Sequence, residues 1–383
     1  MALTVELASL RDKVARFAEQ NIGVRDDLHT LKDFPWDIWR KMGEEGLLGV
    51  GLPVGWDGIG GGYLSIAVAG EALLGRGRNA GIALSWLIHN VVSRFFILGF
   101  GNERQKDLYL KGLAGGQIAA AIAVSEPGRG AHPKHVETSA DREGDRYVLR
   151  GQKTFITNGP IADLFVVVAV SRLEGGRKRF TAFLVPKDTP GLSMSEPMNL
   201  DFLRPSPHGG IVLSDCRVPA SSVLGVEGSA YEDMARPFRQ IEETLAMSLG
   251  VGGMGAAFDF ALDLLRKPGH DPKGEFKTEL GQLHSLLHTL RIVSYEAASL
   301  LDDSSHDAEL PSLLGSFGDL SGQFRDRFEL LTNREGLASD PMMNRMTKDM
   351  LLGGDRARRT ALIQQRKLGE RLLSGKERDE IVP

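Results

Sequence analysis

A helical block, a strand-rich block and a second helical block follow one another in this chain, and that order most limits its fold. Residues 1 to about 118 carry helical spacing. Leu7, Leu10, Val14 and Phe17 recur three or four apart, and Trp36, Trp39, Met42 and Leu47 continue the pattern. The glycine-rich run from Gly51 to Gly62 interrupts it as a tight, irregular loop. From about 119 to 226, Thr, Val, Ile and Phe gather in short runs between turn signals. Ala119–Val124, Arg146–Gly151, Ala162–Val170, Phe180–Pro186 and Gly210–Leu213 read as strands, and their spacing predicts an antiparallel barrel or sandwich. Helical periodicity returns near 229, with helices predicted over 231–266, 276–302, 308–332 and 342–374. The expected fold class is α+β multidomain: a helical domain at 1–118, a β domain at 119–228 and helices at 229–383.

Composition narrows the function. With 46 Lys and Arg against 50 Asp and Glu, the net charge of −4 does not suit a protein that lives on nucleic acid. Cys216 is the only cysteine, so neither an internal disulfide nor a four-cysteine metal site can form, and a reducing compartment is expected. The longest apolar run, near Leu164–Val170, falls far short of the ~20 residues that span a bilayer. The start, Met1–Glu6, lacks a basic, then apolar, leader. A cytoplasmic protein that engages neither membrane nor nucleic acid is expected.

Several short patterns have bland explanations. Gly250-Val251-Gly252-Gly253-Met254-Gly255 lies inside helical sequence with no strand before it. Close helix approach therefore explains it better than a phosphate loop. His284 and His288 share a helix face, and His132 and His135 are close in sequence, but neither pair has an evident third ligand. No metal site is expected. The excess of Arg and Lys over acids in 345–380 reads as a solvated helix face.

Three ordered motifs are more specific. Ala123-Val124-Ser125-Glu126-Pro127-Gly128-Arg129-Gly130 resembles the flavin-binding signature of acyl-CoA dehydrogenases. Gly151-Gln152-Lys153-Thr154-Phe155-Ile156-Thr157-Asn158-Gly159 resembles that family's G-x-K-x-W-I-T-N-G, and Asp215-Cys216-Arg217-Val218-Pro219 with Val223-Leu224-Gly225 resembles its D-x-x-V-P…L-G. The resemblance implies a helical N-terminal domain, a central β domain and a C-terminal four-helix bundle. It also implies FAD as cofactor, α,β-dehydrogenation of an acyl thioester, and assembly as a homodimer or homotetramer. The thioester would be an acyl-CoA or an acyl-carrier-protein conjugate, and electron-transfer flavoprotein the electron acceptor.

Carried over position by position, the resemblance implies cofactor contacts at Ile122, Ala123, Val124, Ser125, Gly130, Ala131, Phe155, Ile156, Thr157 and Arg266. Substrate contacts are implied at Ala131, Ile241 and Thr244. Thr157 matches the threonine near the flavin's reactive nitrogen, and Phe155 keeps the π-face of the usual tryptophan but not its N–H. The reaction needs a carboxylate base in a desolvated site. The family's late Y-E-G-T glutamate position holds Arg358, with Asp355 the closest acid. A minority pattern on the first bundle helix aligns with Ile241-Glu242-Glu243-Thr244-Leu245 and puts Glu243 at the base position. The R-x-x-F-G motif is reduced to Arg266, and 332–338 keeps one glycine of Q-x-x-G-G-x-G. Those departures leave two alternatives: a catalytically degenerate partner in a heteromer with a paralogue, or a flavin monooxygenase on the same fold.

Overall fold

The computed structural model describes residues 3–198, 200, 202–267, 274–303 and 309–349, and positions 362, 363, 365, 366, 369, 370 and 373. The helices are α1 (Val5–Asn21), α2 (Trp36–Glu44), α3 (Tyr63–Gly77), α4 (Ala80–Val91), α5 (Glu103–Ala114), α6 (Arg236–Leu265), α7 (Gly274–Leu300) and α8 (Leu310–Arg334). The strands are β1 (Ala120–Ala123), β2 (Ser139–Glu143), β3 (Arg146–Thr157), β4 (Leu164–Glu174), β5 (Arg177–Pro186), β6 (Leu192–Met194), β7 (His208–Pro219) and β8 (Val223–Leu224). Residues 341–349 are also helical, while most of the predicted helix over 342–374, with Asp355 and Arg358, lies outside the described residues.

The helix–sheet–helix order stands. The chain divides into two compact units interleaved in sequence, residues 1–24, 63–80 and 243–383 in one and 25–62 and 81–242 in the other.

In the first unit, α1 lies along α3, and α7 and α8 pack on each other. Met247, Val251, Phe258, Leu287, Phe324 and Phe328 are among its buried core residues. Its fixed points are polar. The Asp302 carboxylate accepts from the Tyr63 and Leu64 N–H groups at 2.8 and 3.0 Å, satisfying donors left open at the α3 N-terminus. Arg291 Nε meets Glu71 Oε1 at 2.6 Å. The small-residue run on α6 does what its sequence predicts: a Cβ at Gly252 would sit 2.6 Å from the Glu71 carbonyl oxygen on α3.

In the second unit the strands form one sheet in the order β6-β7-β3-β2-β4-β5-β8, with β1 beside β4. The expectation of a purely antiparallel barrel or sandwich needs correcting on pairing. β1 and β2 both run parallel to β4, so the sheet is mixed. The long β4 made this hard to foresee, because Leu164–Ala169 is buried on both faces and carries no alternation to show its partners. Tyr147, Phe165, Phe183 and Ile211 are buried at the core. α5 starts with a capping box, Asn102 with Gln105, and the Gln105 amide also donates to the Ser221 and Val223 carbonyls.

Two helical stretches, Ala80–Leu98 and Tyr231–Leu265, are long and apolar enough to cross a membrane by length and composition, contrary to the sequence-level expectation. Their most apolar windows are 78% and 61% buried inside the protein, which is the pattern of core helices. In the first stretch α4 continues into a π-helical segment, Val92–Leu98.

Candidate active site

The two motifs with the strongest resemblance are joined in the second unit. β1 ends at Ala123, and its continuation is tied to β3 where the Thr154 N–H donates to the Ser125 carbonyl at 2.9 Å. After Ser125 the chain turns sharply. Glu126 N–H donates to the Gly130 carbonyl at 3.0 Å, and the Glu126 carbonyl accepts from Arg129 and Gly130 at 3.2 and 3.1 Å. This tight loop leaves Gly130 and Ala131 exposed, with Ile122, Val124 and Ser125 half-buried and Ala123 buried.

A buried ionic centre holds the loop. Lys153 Nζ donates to Glu126 Oε1 at 3.1 Å and to the Val124 carbonyl at 3.0 Å. The same carboxylate accepts from the Thr138 N–H at 2.8 Å, the Thr138 hydroxyl at 2.5 Å and the Glu137 N–H at 2.8 Å. Burial alone would raise the Glu126 carboxyl; the Thr138 hydroxyl and the Lys153 charge outweigh it, and the group sits below its ordinary value. Burial pulls Lys153 down to about 8, against the opposing pull of Glu126. Gly151 belongs to the same arrangement: its φ is 147°, and a Cβ there would meet the Thr138 hydroxyl at 2.5 Å. Sequence reasoning missed this centre, because Lys153 stands between Gln152 and Thr154 and no local pattern marks it as inward.

The far end of β3 presents the site. The β3–β7 register slips between Lys153 and Ile156, and within that irregularity Phe155 adopts φ 56°. A bulky residue in the left-handed region costs about 1–3 kcal/mol. Phe155 is nonetheless 63% exposed, so no core packing offsets that strain. Ile156 is buried and Thr157 half-buried. Thr157 pairs in register with His208 at the start of β7, and Thr157 Oγ1 lies 3.1 Å from His208 Nε2. His208 Nδ1 lies 3.1 Å from the Ser206 carbonyl. Burial lowers the His208 pKa despite that carbonyl. His208 was also absent from the sequence-level list, since a lone histidine before a strand carries no signal.

The Ser125–Thr154 hydrogen bond thus ties the turn that carries Ser125, Gly130 and Ala131 to β3 beside Phe155, Ile156 and Thr157. Ile241 is buried in the same unit, near the start of α6. Glu243 and Thr244 belong to the other unit; Glu242 and Glu243 are half-buried, and Thr244 is fully buried. Arg266 is exposed just past α6, 3.6 Å from Asp263. Gly336 takes φ 71° and forms part of the turn after α8. Among the described residues no group of three or more metal-ligating side chains is found, and His284 and His288 are exposed on α7.

These residues fit a planar heteroaromatic cofactor. An exposed ring is held out at conformational cost, beside a half-buried hydroxyl and an open, glycine-bearing loop.

Residues 4–117 match the family model of the acyl-CoA dehydrogenase N-terminal domain, and residues 121–216 match that of the middle domain. An acyl-CoA dehydrogenase of Bacillus subtilis (strain 168) is 32% identical over 232 residues, which cover 60% of this chain and 61% of that protein. The mitochondrial 2-methylacyl-CoA dehydrogenase of Solanum tuberosum is 30% identical over 305 residues, covering 78% of this chain and 73% of the relative. Among solved structures, butyryl-CoA dehydrogenase from Megasphaera elsdenii shares the fold at TM-score 0.86 and 22% identity, covering 97% of this chain and 99% of that one. The FAD complex of PigA matches at TM-score 0.83 and 26% identity, over 97% and 99% of the two chains.

Fold, site and relatives define an oxidoreductase scaffold. The chain belongs to the acyl-CoA dehydrogenase family.

Proposed function

We propose that this protein is an FAD-dependent acyl-thioester dehydrogenase. The observation that carries the reading is the exposed, left-handed Phe155 two residues before Thr157, in a chain whose relatives are acyl-CoA dehydrogenases. Ser125, Gly130, Ala131, the backbone of Ile122–Val124, Phe155, Ile156 and Thr157 would hold the cofactor, and Arg266 would contact its phosphate. The substrate is an acyl-CoA or an acyl-carrier-protein thioester, bound by Ala131, Ile241 and Thr244. Domain boundaries near 118/119 and 228/229, a cytoplasmic setting, a homodimer or homotetramer, and electron-transfer flavoprotein as acceptor go with this reading.

When bound, FAD would supply the hydride acceptor for the substrate's β-carbon. Phe155 offers a flat apolar face that would shield a bound flavin ring from water. The Glu126–Lys153 centre fixes the backbone of the loop that carries Ser125 and Ala131. Glu243 takes the α-proton as the general base. The half-buried position of Glu243 supports that role.

The test is retention of the cofactor. Purified protein mixed with FAD and passed through gel filtration should keep a flavin spectrum at one flavin per chain. A colourless protein would contradict the reading. It would favour the degenerate-subunit alternative, for which the use of Gly336 in a turn is the supporting observation.

A further inference from the structure

Thr157 and His208 face each other across β3 and β7, and the hydrogens in this pair can be assigned. The Ser206 carbonyl is an acceptor, so the His208 Nδ1 that lies 3.1 Å from it must carry a hydrogen. Burial disfavours the charged ring, and a neutral imidazole carries only one N–H. Nε2 is therefore an acceptor. The Thr157 hydroxyl, 3.1 Å away, donates its only hydrogen to it. That leaves Thr157 Oγ1 with lone pairs alone to offer outward.

From this geometry we infer that His208 is a positioning residue that makes Thr157 an obligate hydrogen-bond acceptor toward the flavin, and so biases the bound cofactor toward its reduced form. The inference rests on the reading that FAD binds at Phe155 and Thr157. The chemistry follows from the cofactor's two states. The reactive ring nitrogen of oxidised flavin has a lone pair and no hydrogen, so it gains nothing from an acceptor. After taking up a hydride that nitrogen carries an N–H, which an acceptor stabilises. A threonine free to rotate serves both states by reversing its hydroxyl; one held by His208 serves only the reduced state. An unmade or made hydrogen bond of this kind is worth about 1 kcal/mol, which corresponds to about five- to tenfold in the ratio of oxidised to reduced flavin.

The first measurement needs no cofactor. Nitrogen-15 NMR of the full chain should show His208 protonated at Nδ1 and bare at Nε2; the opposite tautomer would overturn the inference while leaving the flavin reading intact. The second is equilibrium reduction of the bound flavin against a reference dye. His208→Leu should shift the equilibrium about five- to tenfold toward oxidised flavin. His208→Gln, whose amide oxygen can still accept from Thr157, should stay within about twofold of the parent. In a Thr157→Val background the His208→Leu change should have no further effect. If His208→Leu binds flavin stoichiometrically and leaves the equilibrium unchanged, the inference fails. If His208→Leu does not fold, an oxidised-ward shift in Thr157→Val decides for the inference, and an unchanged equilibrium decides against it. If the parent protein retains no flavin, the functional reading fails and takes this inference with it.

Discussion

Lys153 Nζ and Glu126 Oε1 lie 3.1 Å apart, both buried, and through them two segments 27 residues apart in sequence act as one piece. The pair has Thr138, the Glu137 N–H and the Val124 carbonyl as further partners, so its remaining polar capacity is largely met. Breaking one member of a buried pair leaves the other charged and desolvated, at a cost of about 3–5 kcal/mol. Lys153→Met and Glu126→Gln should each lose stability on that scale in urea unfolding and release flavin. The double variant Glu126→Gln/Lys153→Met should be more stable than the sum of the two losses implies. Additive losses would show that the pair is not coupled.

Phe155 separates strain from function. Phe155→Gly should raise stability by about 1 kcal/mol, because glycine reaches φ 56° without a steric penalty. The same variant should bind FAD at least tenfold more weakly, since the flat ring is gone. Phe155→Trp should keep binding within a few-fold. Unfolding midpoints and flavin titration read the two effects independently, and a Phe155→Gly protein with unchanged flavin affinity would remove Phe155 from the site.

Glu243 and Glu242 are neighbours on α6 and both are half-buried, so each is the other's control. Successive residues on a helix point about 100° apart, and only one of the two can serve a given α-carbon. Glu243→Gln should lower kcat by about 10²–10⁴, the usual contribution of a general base, with flavin content unchanged. Glu242→Gln should retain most activity. The reverse pattern would move the base one residue back along the helix.

The candidate motifs were legible from the sequence, and the contacts that hold them in place were hidden for identifiable reasons. The Ser125 turn and the Phe155–Thr157 stretch stood out through their resemblance to the ordered motifs of acyl-CoA dehydrogenases. The Glu126–Lys153 pairing did not, since nothing local says that a charged residue points inward until β1, β3 and the Thr138 segment are assembled. His208 is similar: its meaning comes from the β3–β7 register, a long-range property. The parallel pairing of β1 and β2 with β4 was lost because a strand buried on both faces shows no alternation. The interleaving of the two units was likewise invisible, since α1 and α3 look in sequence like neighbours of α2 and α4.

His89 gives a pH prediction in the second unit. Its Nε2 lies 3.0 Å from the Leu113 carbonyl, and the Ala120 N–H donates to its Nδ1 at 3.4 Å. The neutral ring satisfies both neighbours, whereas protonation would set a second N–H against the Ala120 N–H. Complete burial pushes the pKa down to about 4, the Leu113 carbonyl opposing. An unfolded histidine titrates near 6.5, so the unfolded chain binds the extra proton first as pH falls. The stabilising contribution is thus complete above about pH 6.5 and is lost progressively down to about pH 4, for a total of about 3 kcal/mol. Urea unfolding of the parent and of His89→Phe at several pH values checks this. The difference between the two should shrink as pH falls, and a constant difference would mean His89 is not the titrating group.

The central claim is acyl-thioester dehydrogenation, and anaerobic titration of the flavin-loaded protein with a panel of saturated acyl-CoA and acyl-carrier-protein thioesters tests it most directly. The account predicts that at least one thioester bleaches the visible flavin band and yields the matching α,β-unsaturated thioester, and that Glu243→Gln blocks both. A protein with one flavin per chain that is reduced by dithionite but by no thioester in the panel would contradict it.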